Sequence, residues 1–242
     1  MSPILREMGH QVIDDDLPGK GAPLADKEKI TLTDHMDRLS EWRDTLPGPV
    51  HLIAHGMAGI AVTEFAERRP ERIASATYIS SLFGSPGEWA QILPYNQELD
   101  SRISHLEDGE AIDVTFREVA QLSFTDCPPE DYDRFEECLE RDSYDPPVPP
   151  LDTPTGHWAG IQRAYIMCLS NKMVLRAQQH QMTLRHKCAP VVKMNTGHCP
   201  FLTHPKETAT HIDQIIRRVR SDTAAPGTSG PSNGPDLKIV SK

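Results

Sequence analysis

The stretch from residue 50 to residue 69 constrains the fold more than any other part of the chain. Its first residues, 50–54, form an apolar run with the length and branched side chains of a buried strand. A turn of small residues follows, and the apolar spacing over 60–69 predicts an amphipathic helix that ends at a proline. A second apolar run covers 73–79. Strand, helix and strand at these lengths predict a right-handed βαβ unit in a parallel sheet.

The tip of the turn has the layout of a nucleophile elbow but lacks a nucleophile. In such an elbow a strand leads into a sharp turn of small residues, and a serine at the tip precedes a helix. Here the turn reads His55, Gly56 and Met57, followed by alanine and glycine, so the tip falls on Gly56. Glycine offers no oxygen or sulfur that a base could deprotonate. Formation of an acyl-enzyme at this position is therefore excluded.

The rest of the chain divides into a core, an insertion and a tail. Residues 1–83 and 155–220 are predicted to form the two parts of the core, because both alternate apolar strands with amphipathic helices. The segment 84–154 is acidic, partly helical and contains a proline cluster, with no strand alternating with its helices. We expect it to be a helical cap that lies over the sheet. Residues 221–242 are rich in Pro, Gly and Ser and are predicted to be a disordered tail.

Composition and charge argue against several classes of function. The chain carries 35 acidic and 25 basic residues, for a formal charge of −10, and it has no basic stripe that would bind nucleic acid. Its apolar runs are too short for a membrane span, and its first residues lack the apolar segment of a secretory signal. The 5 cysteines show no metal-ligand spacing. We therefore expect reduced thiols, a cytoplasmic protein, and neither a metal nor a cofactor.

In chain order, several motifs resemble those of the α/β-hydrolase superfamily, in particular its methylesterase and hydroxynitrile-lyase-like branch. The motifs are Gly-His-Gln-Val leading to Asp-Leu-Pro-Gly, Ala-His-Gly-Met-Ala-Gly, Pro-Glu-Arg-Ile, Tyr-Ile-Met-Cys and Thr-Gly-His-Cys-Pro-Phe, and they lie within 9–19, 54–59, 70–73, 165–168 and 196–201. The resemblance covers about residues 4–220. It implies an α/β fold with a doubly wound, mostly parallel sheet and a small helical cap, with a Ser-His-Asp site beneath the cap.

When the family's site residues are carried over to this sequence, the resemblance implies a site that is altered in three places. The family's serine falls on Gly56 and its acid on Asn171, whereas His198 matches the family's histidine. The backbone N–H of Met57 would be one donor of the oxyanion hole. The early strand that usually carries His-Gly and supplies the other donor would precede residue 1, and we expect it to be missing.

His198 is the one unaltered member of this set. The amide oxygen of Asn171 can accept a hydrogen bond from its Nδ1–H, but it cannot stabilise an imidazolium as a carboxylate does. We therefore expect the pKa of His198 to stay near its ordinary value of about 6.5, and His198 to be a weak general acid or base. The adjacent Cys199 is interpreted as a packing residue. Trp158 is a candidate substrate contact or, alternatively, an anchor of the cap.

Three interpretations of function remain open. The first is a lyase, isomerase or cyclase that acts on a small carbonyl or ester-type metabolite, with His198 as acid or base, the Met57 N–H polarising an oxygen, and Trp158 in an apolar pocket. The second is a catalytically inactive homologue that binds a small-molecule ligand or a partner. The third is a truncated chain, in which the missing strand would leave an exposed sheet edge. The sequence carries no signal of oligomeric state.

Overall fold

A computed structural model shows how the chain folds, and it describes residues 1–19, 29–84, 104–105, 112–113, 116–138, 156–223 and 237–240. These residues form one sheet of six strands and a separate pair of short strands. The strands are β1 (Val12–Ile13), β2 (Val50–His55), β3 (Ile73–Ile79), β4 (Ser104–His105), β5 (Ile112–Asp113), β6 (Gln162–Cys168), β7 (Val191–Met194) and β8 (Leu237–Val240).

The six-stranded sheet is parallel throughout. Its strand order is β1-β8-β2-β3-β6-β7, and every neighbouring pair runs in the same direction. The prediction of an α/β fold with a mostly parallel sheet is confirmed. Because the carboxyl ends of parallel strands meet at one edge, the residues that follow β2, β6 and β7 come together there.

Helices cover both faces of this sheet. They are α1 (Ser2–Glu7), α2 (Leu32–Thr45), α3 (Ala58–Arg68), α4 (Phe116–Ser123), α5 (His157–Gly160), α6 (Arg176–Arg185), α7 (Pro200–Thr203) and α8 (Pro205–Thr223), with a 3₁₀ helix at Pro129–Cys138. One buried cluster includes Trp42 of α2 and Phe65 of α3, and a second joins Leu5 of α1 to Ile212 and Ile216 of α8. The sheet is therefore doubly wound, as predicted. Within the described residues, no helix is long and apolar enough to cross a bilayer.

No described strand of the predicted cap segment joins the six-stranded sheet. Strands β4 and β5 pair with each other in antiparallel fashion, in a segment that was predicted to be helical in parts and to contain no strand. Phe124, just after α4, packs against Tyr132 and Phe135 of the 3₁₀ helix. The predicted cap residues 85–103, 106–111, 114–115 and 139–154 lie outside the described residues. The boundaries of the cap therefore stay predictions.

The end of the chain departs from the predicted disordered tail. Helix α8 continues to Thr223, and β8 pairs in parallel with both β1 and β2. The prediction that 221–242 is disordered throughout is therefore wrong. The physical reason lies in a short run with high strand propensity, Leu237 to Val240, whose backbone groups can pair with strands on two sides. The composition of 221–242 as a whole is dominated by Pro, Gly and Ser, so it does not indicate this short strand.

Candidate active site

The predicted strand, sharp turn and helix are present around Gly56. Strand β2 ends at the residue before Gly56, and helix α3 begins two residues after it. Gly56 has a φ of 55°, a left-handed conformation that favours glycine over residues with a Cβ. Its carbonyl oxygen accepts hydrogen bonds from Leu82 N at 3.0 Å and from Ser81 Oγ at 2.7 Å. The chain that leaves β3 therefore fixes the turn.

Gly59 allows this close approach between α3 and the chain after β3. A Cβ built on Gly59 would overlap Ser81 Oγ and the Leu82 carbonyl oxygen. The small residue in the first turn of the helix is thus required by packing. The part played by Ser81 was not predicted, and the only sequence signal was a pair of serines directly after a strand that neighbours β2.

His198 lies directly beside the tip of the turn. A Cβ built on Gly56 would be 3.5 Å from His198 Nε2. The backbone holds His198 in place, because its N–H donates to Ser123 O at 2.7 Å and its carbonyl oxygen accepts from His55 Nε2 at 2.9 Å. The ring of His55 also packs against the His198 ring, with 4.3 Å between centroids, and against Phe201. His55 therefore supports His198.

Asn171 fixes which nitrogen of His198 carries the proton. Its Oδ1 accepts hydrogen bonds from the backbone N–H groups of Met173 at 2.8 Å and Val174 at 3.1 Å. The Nδ2 group therefore faces His198 Nδ1, 3.1 Å away, and it can only donate. The expectation that the amide oxygen accepts from Nδ1–H is wrong, because two backbone donors already occupy that oxygen. Nδ1 of His198 is the acceptor, so the neutral ring carries its proton on Nε2.

The protonation of His198 also departs from the expectation. Burial, followed by the neighbouring His55, holds the pKa of His198 well below its ordinary value. A proton added at Nδ1 would face the N–H of Asn171, which opposes charging in the same direction. The expected near-ordinary pKa is therefore wrong. Near neutral pH, His198 presents an Nε2–H donor to the tip of the turn, and it is poorly suited to act as a base there.

The backbone N–H of Met57 is a second donor next to the tip. Met57 precedes the first residue of α3, where the helix dipole favours negative charge. No described residue accepts a hydrogen bond from this N–H. A helix start and the Nε2–H of a buried histidine thus both adjoin Gly56. Two such donors suit an oxygen that gains negative charge during a reaction, although the oxyanion role of Met57 stays a prediction.

Trp158 belongs to the core. Its side chain is 3% exposed, and its Nε1 donates to Tyr78 Oη at 2.8 Å. Its backbone N–H donates to Glu67, whose other carboxylate oxygen accepts from Gly156 N. Trp158 precedes the amino end of β6, whereas Asn171 follows the carboxyl end of the same strand. Trp158 is therefore not brought to the site as a substrate contact. Its contacts named here are with the core, and its alternative interpretation as an anchor of the cap stays a prediction.

Known proteins with similar sequences show which family this chain belongs to. The model of the alpha/beta hydrolase family matches residues 16–211. This chain belongs to that family. A curated relative, the pyrethroid hydrolase of Sphingobium wenxiniae, is 23% identical over 229 residues, which cover 87% of this chain and 79% of the relative.

Solved structures share the fold at low sequence identity. Polyneuridine aldehyde esterase superposes with a TM-score of 0.70 at 21% identity, covering 88% of this chain and 91% of that chain. A histidine-to-alanine variant of tomato methylketone synthase I, complexed with β-ketoheptanoate, superposes with a TM-score of 0.69 at 19% identity and 90% coverage of both chains. An extracellular α/β-hydrolase from a Paenibacillus species gives 0.72 at 17% identity, covering 88% and 90%.

Proposed function

We propose that this family member is a lyase that decarboxylates a small β-keto acid and forms no covalent intermediate at the elbow. One observation carries the proposal. The neutral Nε2–H of His198 faces Gly56 because Asn171 can only donate to Nδ1. The site therefore offers donors for an oxygen where a hydrolase of this fold would hold a nucleophile.

Ester hydrolysis through an acyl-enzyme does not fit the groups around the tip. Gly56 has no side-chain oxygen, and the nearby Ser81 hydroxyl already donates its proton to the Gly56 carbonyl at 2.7 Å. His198 Nε2 carries a proton, so it cannot remove one from a serine or from water in that state. A reaction suited to this site must begin without a base.

Decarboxylation of a β-keto acid meets this requirement. The bond between the carboxylate carbon and the α-carbon breaks, CO₂ leaves, and the electron pair moves into the ketone to give an enolate. The negative charge appears on the former ketone oxygen, which the N–H groups of His198 and Met57 would stabilise. A solvent proton then adds to the α-carbon and yields the ketone. A neutral imidazole can polarise a carbonyl in this way, whereas isomerase or cyclase reactions that start by removing a proton need a base.

The comparisons support the same choice. Methylketone synthase I has this fold, and its structure contains a β-keto acid. The pyrethroid hydrolase and the aldehyde esterase carry names for ester chemistry, which in this fold requires the nucleophile that Gly56 cannot supply. The β-keto acid bound in the synthase structure therefore agrees better with the donors around Gly56.

The test is direct. The purified chain is incubated with β-keto acids of 4 to about 10 carbons, and methyl ketone formation is followed by gas chromatography and mass spectrometry. We expect turnover that falls about 10²- to 10³-fold in His198→Ala, the range seen when one oxyanion donor is removed. His211→Ala, a histidine change on α8, is the matched control and should keep full activity.

Two outcomes would overturn this proposal. Equal turnover in wild type and His198→Ala would place the reaction elsewhere. The absence of ketone formation, together with saturable binding of a heptanoate probe that His198→Ala abolishes in calorimetry, would instead support the second interpretation, a binding protein without catalysis.

A further inference from the structure

Strand β8 has an unusual place in the sheet. It is the last strand along the chain, yet it lies between β1 and β2 and pairs with both. Its register runs from Leu52 opposite Lys238 to Ala54 opposite Val240 on one side, and Val12 lies opposite Leu237 on the other. Among the described residues, β1 has no sheet partner except β8.

The surroundings of β8 differ from those of the other strands of this sheet. From β2 to β7, each pair of neighbouring strands in the sheet is joined through a helix. β8 instead follows α8 after the segment 224–236, which is rich in Pro, Gly and Ser. Without β8, β1 and β2 would be two strand spacings apart, about 9.6 Å, and no backbone hydrogen bond could join them.

We propose that the space between β1 and β2 is a binding site for an extended peptide, and that its ligand is the C-terminal segment of this chain. The segment binds as an added strand, through backbone hydrogen bonds on both edges. Its attachment is non-covalent apart from the 224–236 connection, so it can leave and rebind while β2, β3, β6 and β7 stay paired with one another. This inference rests on the sheet topology alone and does not depend on the proposed reaction.

Occupancy of this site is coupled to the candidate active site. Ala54, opposite Val240, lies two residues before Gly56 on β2. A bound segment therefore restrains the end of β2 from one side while β3 restrains it from the other. Departure of the segment would leave β2 as an edge strand, with unpaired backbone groups next to the elbow.

The experiment uses the intact folded chain. A specific protease site is inserted after residue 228, the native protein is cut, and size-exclusion chromatography with mass spectrometry follows the released fragment. We expect the fragment to co-elute with the body of the protein, and an excess of isotope-labelled peptide 229–242 to replace it. Ile239→Pro removes one backbone donor inside the strand and should speed release at least tenfold. Ser232→Pro, outside β8, is the matched control and should leave release unchanged.

Hydrogen exchange gives a second readout on the uncut chain. Ile239→Pro should make the β2 amides that donate to β8 exchange at least tenfold faster, whereas those that donate to β3 and those of β6 should not change. Two results would refute the proposal. One is immediate loss of the wild-type fragment while β2 amides stay protected. The other is failure of the labelled peptide to replace the fragment short of global unfolding, which would make β8 a permanent part of the core.

Discussion

Restoring a nucleophile at the elbow should require two changes, because Asn171 sets the wrong tautomer for hydrolysis. In Gly56→Ser alone, the new Cβ would lie 3.5 Å from His198 Nε2, which brings the Oγ within hydrogen-bond reach. The hydroxyl would then accept from Nε2–H and keep its own proton. Asn171→Asp supplies a second oxygen that accepts from Nδ1–H, so the proton of Nε2 moves to Nδ1 and Nε2 becomes the base.

The magnitudes follow from the same geometry. An aspartate-to-asparagine change in a serine-protease triad lowers kcat about 10⁴-fold, so the double variant should exceed Gly56→Ser by a factor of that order in p-nitrophenyl acetate hydrolysis. A serine at φ 55° costs about 1–2 kcal/mol of stability, and for a chain of this size each kcal/mol lowers Tm by about 2–4 °C. Labelling by a fluorophosphonate should appear only in the double variant. Equal hydrolysis by Gly56→Ser and the double variant would refute the tautomer assignment.

Three further outcomes can be measured. In ¹⁵N NMR spectra, His198 should remain the neutral Nε2–H tautomer well below pH 6.5, and an Nδ1–H signal would contradict the assignment. Burial, with the charges of Arg220 and His10, lowers the pKa of His51 to about 4, so the unfolded chain binds more protons below pH 6.5 and stability falls as the pH drops from 6.5 toward 4. From pH 6.5 to pH 4, the free energy of unfolding of wild type, measured by urea titration, should fall by about 3 kcal/mol more than that of His51→Gln. Equal losses in the two proteins would contradict this expectation. Glu67→Ala leaves the buried backbone N–H of Trp158 and the part-buried N–H of Gly156 without their acceptor and should lower the free energy of unfolding by about 1–3 kcal/mol. Glu71→Ala, at an exposed position, should change it by under about 1 kcal/mol.

The local part of the site was predictable from the sequence. The strand before Gly56, the turn and the helix after it are encoded in contiguous residues, and so are the strands that end near Asn171 and His198. Parallel strands bring these positions to one edge of the sheet whatever their separation along the chain. The resemblance to the α/β-hydrolase superfamily placed Gly56, Asn171 and His198 in one site, and the parallel sheet explains why they meet there.

The properties that decide the chemistry were not predictable in this way. The direction of the Asn171 amide depends on two backbone N–H groups two and three residues later, and their positions are set by the turn that follows β6. The lowered pKa of His198 depends on its burial and on His55, which lies far away in the sequence. The sequence could not decide between the two interpretations of Trp158, because its indole reaches Tyr78 in the core, a contact that no spacing rule reveals.

The central place of β8 has a consequence for how the protein is made. Val12 pairs with Leu237, so β1 cannot form its sheet pairing until a strand more than 200 residues later in the chain has been synthesised. Pairs this distant in sequence form slowly, because loop-closure entropy opposes them until the rest of the sheet is in place. A nascent chain would therefore expose the unpaired edge of β2 until β8 has been synthesised. During that time it would be open to binding by chaperones and to aggregation with other unfinished chains.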